Sequence, residues 1–272
     1  MRTETGDVTV VVVSRNRPDR LRETVPHHRA PVIVVDNGSD RPLDVADARL
    51  IRLDENRGAA ARNVGVEQAD TPFVAFADDD SYWTPGSLAR AAGLLRDHPG
   101  TALLTAQVRV GASGRLDPVS AAMAAAPLGT PPGAPGPSVL GFLSCAVVVR
   151  REAFLAVGGF QKRLFLYGEE ALLAMDLAAA GWQLSYAPGL VVRHFPEPAG
   201  RNPAARRRRE ARNRVLTALL RRPPRRVAGT LASALRTDPL AVARVLPDVP
   251  WALRRRRPLP VEVESALRTL GA

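Results

Sequence analysis

Cysteine is nearly absent from this chain: Cys145 is the only one in 272 residues. A lone thiol excludes an internal disulfide and leaves no cysteine cluster for zinc. Lysine is equally scarce, because Lys162 stands alone and arginine supplies the rest of the 38 basic residues. No apolar run approaches the about 18 residues of a membrane-spanning helix. The longest, near Val139–Val149, is short and interrupted by Gly and Ser. No basic-then-apolar leader precedes the strand-like run Val8–Val13, and no internal repeat is visible. The expectation from these absences is a cytoplasmic protein.

What is present supports a folded enzyme-sized domain. Apolar residues make up 46% of the chain, enough for a core and too many for wholesale disorder. Charge is unevenly placed. Residues 1–200 hold 20 basic and 22 acidic residues, a net of −2, whereas 201–272 hold 18 Arg and 5 acidic residues, a net of +13. The two sum to the overall +11. Residues 1–200 are therefore read as the chemistry-bearing domain and 201–272 as a basic helical extension.

The first hundred residues alternate strand and helix signals. Val8–Val13, Pro31–Asp36, Leu50–Leu53 and Phe73–Ala77 read as strands. Helical stretches follow near Asp19–Val25, up to Gln68, and over Pro85–Asp97. Such alternation predicts an α/β fold with a mainly parallel sheet between two helical layers. Residues 127–137 hold five prolines and three glycines, which no regular element tolerates, so a loop is expected. Further on, Glu169 to about Ala180 suits a helix, and Leu184–Ala187 and Leu190–Val192 read as late strands ending at His194.

The strand Phe73–Ala77 runs into Asp78, Asp79 and Asp80. Folding gains nothing from crowding three like charges, since each disfavours ionisation of the next. A divalent cation at the strand end would change that balance, and hard oxygen ligands suit Mn²⁺ or Mg²⁺. Ligands of open α/β sheets bind at the carboxyl ends of the strands, which is where Asp36 and the triplet fall.

Six motifs occur in order: Val12 to Pro18 (Val-Val-Ser-Arg-Asn-Arg-Pro), Val34 to Ser39 (Val-Val-Asp-Asn-Gly-Ser), Asn56 to Asn63, Asp78 to Asp80, Gly158-Gly159-Phe160, and Tyr167-Gly168-Glu169-Glu170. This order resembles that of a family 2 glycosyltransferase with the GT-A fold, over roughly residues 8–195. The resemblance implies an inverting, metal-dependent transfer of a sugar from a nucleoside diphosphate to an acceptor hydroxyl. UDP or dTDP is the favoured nucleotide, and the acceptor is open, with a lipid-linked or polymeric molecule in view. The resemblance assigns Ser14, Asn16, Arg17, Asp36, Asn56, Gly58, Arg62, Asn63, Asp78 and Asp79 to the nucleotide sugar, and Asp78, Asp80 and His194 to the metal. A carboxylate such as Asp36 can accept from a base N–H, though it can equally cap its own turn.

Inversion also needs a general base. The family commonly carries Glu-Asp where this chain has Glu169 and Glu170, so Glu170 is expected to act as base with a side chain about 1.5 Å longer. Leu172 stands where a second acid is usual and Asp176 where Arg is usual. Glu169 and Asp176, seven residues apart on one helix face, form a fallback base site. These departures keep open a catalytically degenerate nucleotide-sugar-binding protein. Strand-end carboxylates and a metal would also suit a sugar nucleotidyltransferase, although Ser14–Pro18 lacks the glycines of its phosphate loop. Trp83 is a candidate sugar-stacking ring or a core aromatic, Trp182 reads rather as a buried aromatic, and Cys145 reads as an inert buried thiol.

In the basic extension, Val215, Leu216, Leu219 and Leu220 fall at helical spacing among arginines. The pattern fits a helix packed on the domain or one lying on an anionic membrane surface, which would place the protein at the inner membrane face. Nucleic acid is not expected, because Trp251 is the extension's single aromatic residue.

Overall fold

Alternate residues of the N-terminal valine run point to opposite faces of a sheet, and each face is covered. The computed structural model describes residues 4–197 and 202–271. In chain order the first elements are β1 (Val8–Ser14), α1 (Pro18–Thr24), β2 (Val32–Asn37), β3 (Arg49–Leu53), α2 (Ala61–Glu67) and β4 (Phe73–Asp78). Then come β5 (Ser81–Trp83), α3 (Ser87–Asp97), β6 (Thr101–Val110), β7 (Arg115–Leu116), α4 (Pro118–Ala124), β8 (Val147–Arg150) and α5 (Arg151–Ala156). The remaining elements are α6 (Glu169–Ala179), β9 (Gln183–His194), α7 (Pro203–Arg221), α8 (Pro224–Thr237), α9 (Pro239–Ala243), α10 (Val249–Arg254) and α11 (Val261–Thr269).

Among the described residues the strands form one sheet in the order β3-β2-β1-β4-β8-β6-β9-β5, with β7 paired to β6. The block β3-β2-β1-β4 is parallel, as the strand–helix alternation predicts. Beyond it β8 runs antiparallel to both β4 and β6, so the whole sheet is mixed. The two late strands expected before His194 are one element, β9, which stays paired with β6 through a register shift near Pro188-Gly189.

The period-two alternation of the strands divides the core. Val8, Val10, Val12, Val34, Ala75 and Val148 pack against α1 and α3 through Leu21, Leu88 and Leu95. Val11, Ile33, Val35, Val74, Phe76 and Val149 face α2, α5 and α6 through Val66, Phe154 and Leu173. A third cluster lies outside the sheet, where Leu164 and Leu172 join Val215, Leu216, Leu220, Ala234, Val245 and Ala252. The helices after residue 202 therefore share a core with the loop before α6 and with α6 itself. The division expected at residue 200 lies outside the described residues.

Helix α7 starts where Asn202 Oδ1 accepts from the amides of Ala204 and Ala205 at 3.0 and 3.2 Å, with Pro203 in the first turn. Residues 127–137 contain no helix or strand. None of the described helices is long and apolar enough to cross a membrane.

Candidate active site

Register carries the acidic triplet to the edge where other chemistry-bearing residues end. Val13 pairs with Asp78 and Ser14 with Asp36, so β1, β2 and β4 finish together. The chain then turns through Asp79 and Asp80 into β5, whose Ser81 pairs with His194 at the end of β9. Residues far apart in sequence thus meet at one sheet edge.

The three aspartates differ. Asp78 has the most open side chain, 37% exposed, and pairs with the Arg62 guanidinium. Asp79 is buried: Ser14 Oγ donates to its Oδ2 at 2.7 Å and Arg17 to its Oδ1. Burial pushes Asp79 up to about 6, against the Ser14 hydrogen bond and the Arg17 charge. With both oxygens committed, Asp79 anchors the acidic turn to β1 and presents no free oxygen to a nucleotide. Asp80 Oδ1 lies 3.3 Å from His194 Nε2, and its Oδ2 lies 3.5 Å from Arg17. Burial works to raise the Asp80 pKa, yet the hydrogen bond and charge of His194, with Arg17, hold it below the ordinary range. His194 is correspondingly raised: burial opposes its charge, and Asp80 outweighs burial.

Several residues assigned to the nucleotide are used by the chain itself. Asp36 is fully buried and caps its own loop, accepting from the Ser39 amide at 3.0 Å and the Leu43 amide at 3.4 Å. Its alternative reading as a turn cap describes this geometry, and no face is left for a base. Asn16, at φ 58, exchanges side-chain and backbone hydrogen bonds with Asp40. Asn56 Oδ1 accepts from the Asn37 side chain and the Gly58 amide. Asn63 grips the Gly-Gly-Phe turn, since its amide donates to Phe160 O and accepts from Phe160 N, both at 2.9 Å. The close approach at Gly58 is made to protein: at φ +58, an added Cβ would sit 2.2 Å from Phe165 O. Arg62 is buried between Asp78 and the Phe160 ring, and its Nε has no partner among the described residues. Trp83 is buried and donates to Phe76 O, so it is a core residue with no ring face for a sugar.

The carboxylates of α6 are also unequal. Glu170 is partly exposed and accepts from Ser144 Oγ at 2.7 Å. Glu169 is buried, with Oε2 unpartnered. Burial first, and the adjacent Glu170 charge second, push Glu169 up to about 8, so it is mainly protonated at neutral pH. Asp176 is bound by Arg221 through both oxygens, which removes it as a fallback base. Leu172, one turn earlier on the same face, is buried against α7. Both departures from the family pattern therefore contact the C-terminal extension.

The loop that launches α6 is held from the same side. Phe165, Tyr167 and Gly168 all have positive φ, an unusual conformation for the first two. Asn213 of α7, fully buried, donates to the carbonyls of Leu164, Leu166 and Tyr167 at 2.8, 2.9 and 2.7 Å. Phe165 O meanwhile accepts from the Ala59 amide at 2.7 Å.

For a divalent cation the donors present fit. Ligand atoms of Asp78, Cys145 and His194 lie within 4.8 Å of one another. Asp78 and His194 were expected there. Cys145, read from sequence as inert, borders the group, while Asp80 instead braces His194. Cys145 remains buried, and burial raises its thiol pKa well above the usual value. Ser144 and Cys145 share the short turn Ser144–Ala146 before β8, one touching Glu170 and the other the Asp78–His194 group. No sequence signal marked Ser144, Cys145 or Asn213, because their roles arise from the antiparallel placement of β8 and the docking of α7.

The mixed sheet flanked by helices is that of the GT-A glycosyltransferase fold. The family model described as glycosyl transferase family 2 matches residues 9–157, and the chain belongs to that family. Over 202 residues it is 35% identical to the pre-mycofactocin glycosyltransferase of Mycobacterium tuberculosis, covering 69% of this chain and 42% of the relative. Over 73 residues it is 41% identical to the N-acetylglucosaminyl-diphospho-decaprenol L-rhamnosyltransferase of the same organism, covering 26% of this chain and 24% of the relative. The chain thus spans less than half the length of these relatives. Among solved structures, Staphylococcus aureus TarS 1–349 with UDP-GlcNAc has a TM-score of 0.56 at 20% identity, covering 78% of this chain and 66% of TarS. The Pyrobaculum calidifontis mannosyltransferase PcManGT, with GDP-Man and Mn²⁺, has a TM-score of 0.54 at 20% identity, covering 99% and 76%.

Proposed function

We propose that the chain is an inverting glycosyltransferase that moves a sugar from a nucleoside-diphosphate sugar to an acceptor hydroxyl. The observation that carries the reading is the Ser144-Cys145 turn. It joins the partly exposed Glu170 to the Asp78–His194 group, so a candidate base and a candidate diphosphate site share one wall. Relatives named as glycosyltransferases, and neighbours solved with UDP-GlcNAc or with GDP-Man and Mn²⁺, support the same chemistry.

Glu170 takes the proton from the acceptor hydroxyl as the oxygen attacks the anomeric carbon, and the nucleoside diphosphate departs from the opposite face. Ser144 fixes one oxygen of the carboxylate. Asp78 and His194, with Cys145 beside them, would hold a divalent cation such as Mn²⁺ or Mg²⁺. When bound, that cation supplies charge neutralisation for the leaving diphosphate. Arg62 adds a buried guanidinium whose Nε lacks a partner, a donor suited to a phosphate oxygen. The loops after β1 and β2, from Ser14 to Arg17 and from Asn37 to Asp40, would flank the nucleotide. UDP or dTDP is the favoured nucleotide, and the acceptor class is left open.

Calorimetric titration of UDP, dTDP and GDP, with and without Mn²⁺, tests the donor site in the wild type and in Asp78→Asn. The expected result is cation-dependent binding of one nucleotide, weakened at least about tenfold in the variant, as loss of a charged ligand implies. Absence of binding by all three nucleotides overturns the proposal.

A further inference from the structure

The extension does more than pack. Between α7 and α8 lie two adjoining cavities of about 350 and 630 Å³. They share Arg214 and Thr237, so they form one groove. Arg225 and Arg226 line one part, Arg207 and Leu240 the other. Arg207, Arg214 and Arg225 are exposed and form no ion pair among the described residues. Other arginines of the extension are neutralised: Arg208 by Asp238, Arg212 by Asp248 and Arg221 by Asp176. Three guanidiniums without an ion pair among the described residues thus line this groove, while others, among them Arg236, Arg244 and Arg254, lie elsewhere on the extension.

Two further observations select the anion. Eight large hydrophobic residues are exposed among the described residues, and six of them (Leu235, Leu240, Leu246, Leu253, Val261 and Leu270) belong to the extension. Leu240 lies in the groove wall beside Arg207 and Arg214. A free anion in water has no use for exposed leucine, whereas a bilayer surface offers phosphates and acyl chains together. Nucleic acid fits poorly, because the single aromatic of the extension, Trp251, stacks with Arg163 at 5.0 Å and leaves no platform for bases.

We propose that the α7–α8 groove takes phosphate headgroups of an anionic bilayer, with Leu240 entering the acyl boundary, and holds the protein at a membrane surface. Guanidinium forks suit phosphate oxygens, and each Arg near an anionic surface contributes about fivefold in partitioning. The inference does not depend on the transferase reading, since no nucleotide or sugar takes part.

The test is co-sedimentation of the full chain with vesicles of phosphatidylcholine alone, or with one-third phosphatidylglycerol. The wild type is expected on the anionic vesicles only. The triple variant Arg207→Glu, Arg214→Glu, Arg225→Glu should lose about 100-fold in partitioning. The matching triple Lys variant should retain most binding, which guards against a folding defect in the Glu variant. Leu240→Ser should weaken binding several-fold, separating apolar insertion from charge alone. Equal sedimentation with both vesicle types, or full binding by the Glu variant, overturns the proposal. So does release from anionic vesicles by millimolar inorganic phosphate, or by RNA at matched phosphate concentration, since either outcome assigns the groove to a soluble anion.

Discussion

The side-chain amide of Asn213 donates to the Tyr167 carbonyl at 2.7 Å, two residues before the first glutamate of α6. One buried amide thereby holds three carbonyls of a loop whose Phe165 and Tyr167 occupy the left-handed region. Removing it leaves the Leu166 and Tyr167 carbonyls without that donor, Leu164 O alone keeping a second one from the Leu166 amide at 2.8 Å, and frees the strained backbone. Asn213→Ala is expected to cost on the order of 3 kcal/mol in stability. It should also lower kcat more than it weakens nucleotide binding, because the loop aims Glu170. Thermal denaturation, calorimetry and turnover measured on one preparation separate the two effects; equal losses in kcat and nucleotide affinity would count against the positioning role.

Glu170→Gln keeps the hydrogen bond from Ser144 but cannot accept a proton. Turnover should fall by about 10²–10⁴-fold while nucleotide affinity is retained. Glu170→Asp shortens the arm away from Ser144 and is expected to be partly active. Glu169→Gln, in contrast, should retain most turnover, because Glu169 is already mainly protonated.

Glu169 also sets a pH dependence. Its folded-state pKa is raised to about 8, so its contribution to stability is full below the ordinary glutamate range and is lost as pH rises toward 8. Over that window the unfolded chain has released a proton that the folded chain still holds. Wild-type melting temperature should therefore fall relative to Glu169→Gln between about pH 5 and 8. Parallel curves for the two proteins would refute this.

His28 produces the opposite limb. It is fully buried, both ring nitrogens lack partners, and burial lowers its pKa to about 3. Stability from this group is present above the ordinary histidine value and lost as pH falls through 6.5 toward 3. His28→Leu, which removes two unsatisfied polar atoms from the core, should be near neutral or stabilising at pH 7 and should flatten the acid limb. Denaturant midpoints at pH 7, 5 and 4 report both.

Gly58→Ala puts a methyl 2.2 Å from the Phe165 carbonyl at a positive φ. A loss of about 2–4 kcal/mol is expected in urea unfolding, with weakened nucleotide binding, since residues 56–60 and the loop before α6 must separate.

The parallel half of the sheet was legible because β1, β2 and β4 are β-branched or apolar runs stopped by turn residues. Thr101–Val110 carries no comparable signal: Ala102, Leu103, Leu104 and Ala106 suit a helix as well as a strand, and only pairing with β8 and β9 decides. At the candidate site, Asp78, His194 and Glu170 were nominated by motif order. The commitments of Asp36, Asp79 and Asn63 to the chain's own backbone and side chains were not, because a motif gives residue type and place but no hydrogen-bond partner. Leu172 and Asp176 looked like lost function until α7 supplied Val215, Leu216 and Arg221 as their partners.

The face of α6 that carries Leu172 and Asp176 bears on how such a protein can be recombined. Grafting this extension onto a relative with an acid at the first position and an arginine at the second would bury a lone carboxylate and set two guanidiniums against each other. Helix α6 and the extension pack as one unit, and a working chimera has to exchange positions 172, 176, 213, 215, 216 and 221 together.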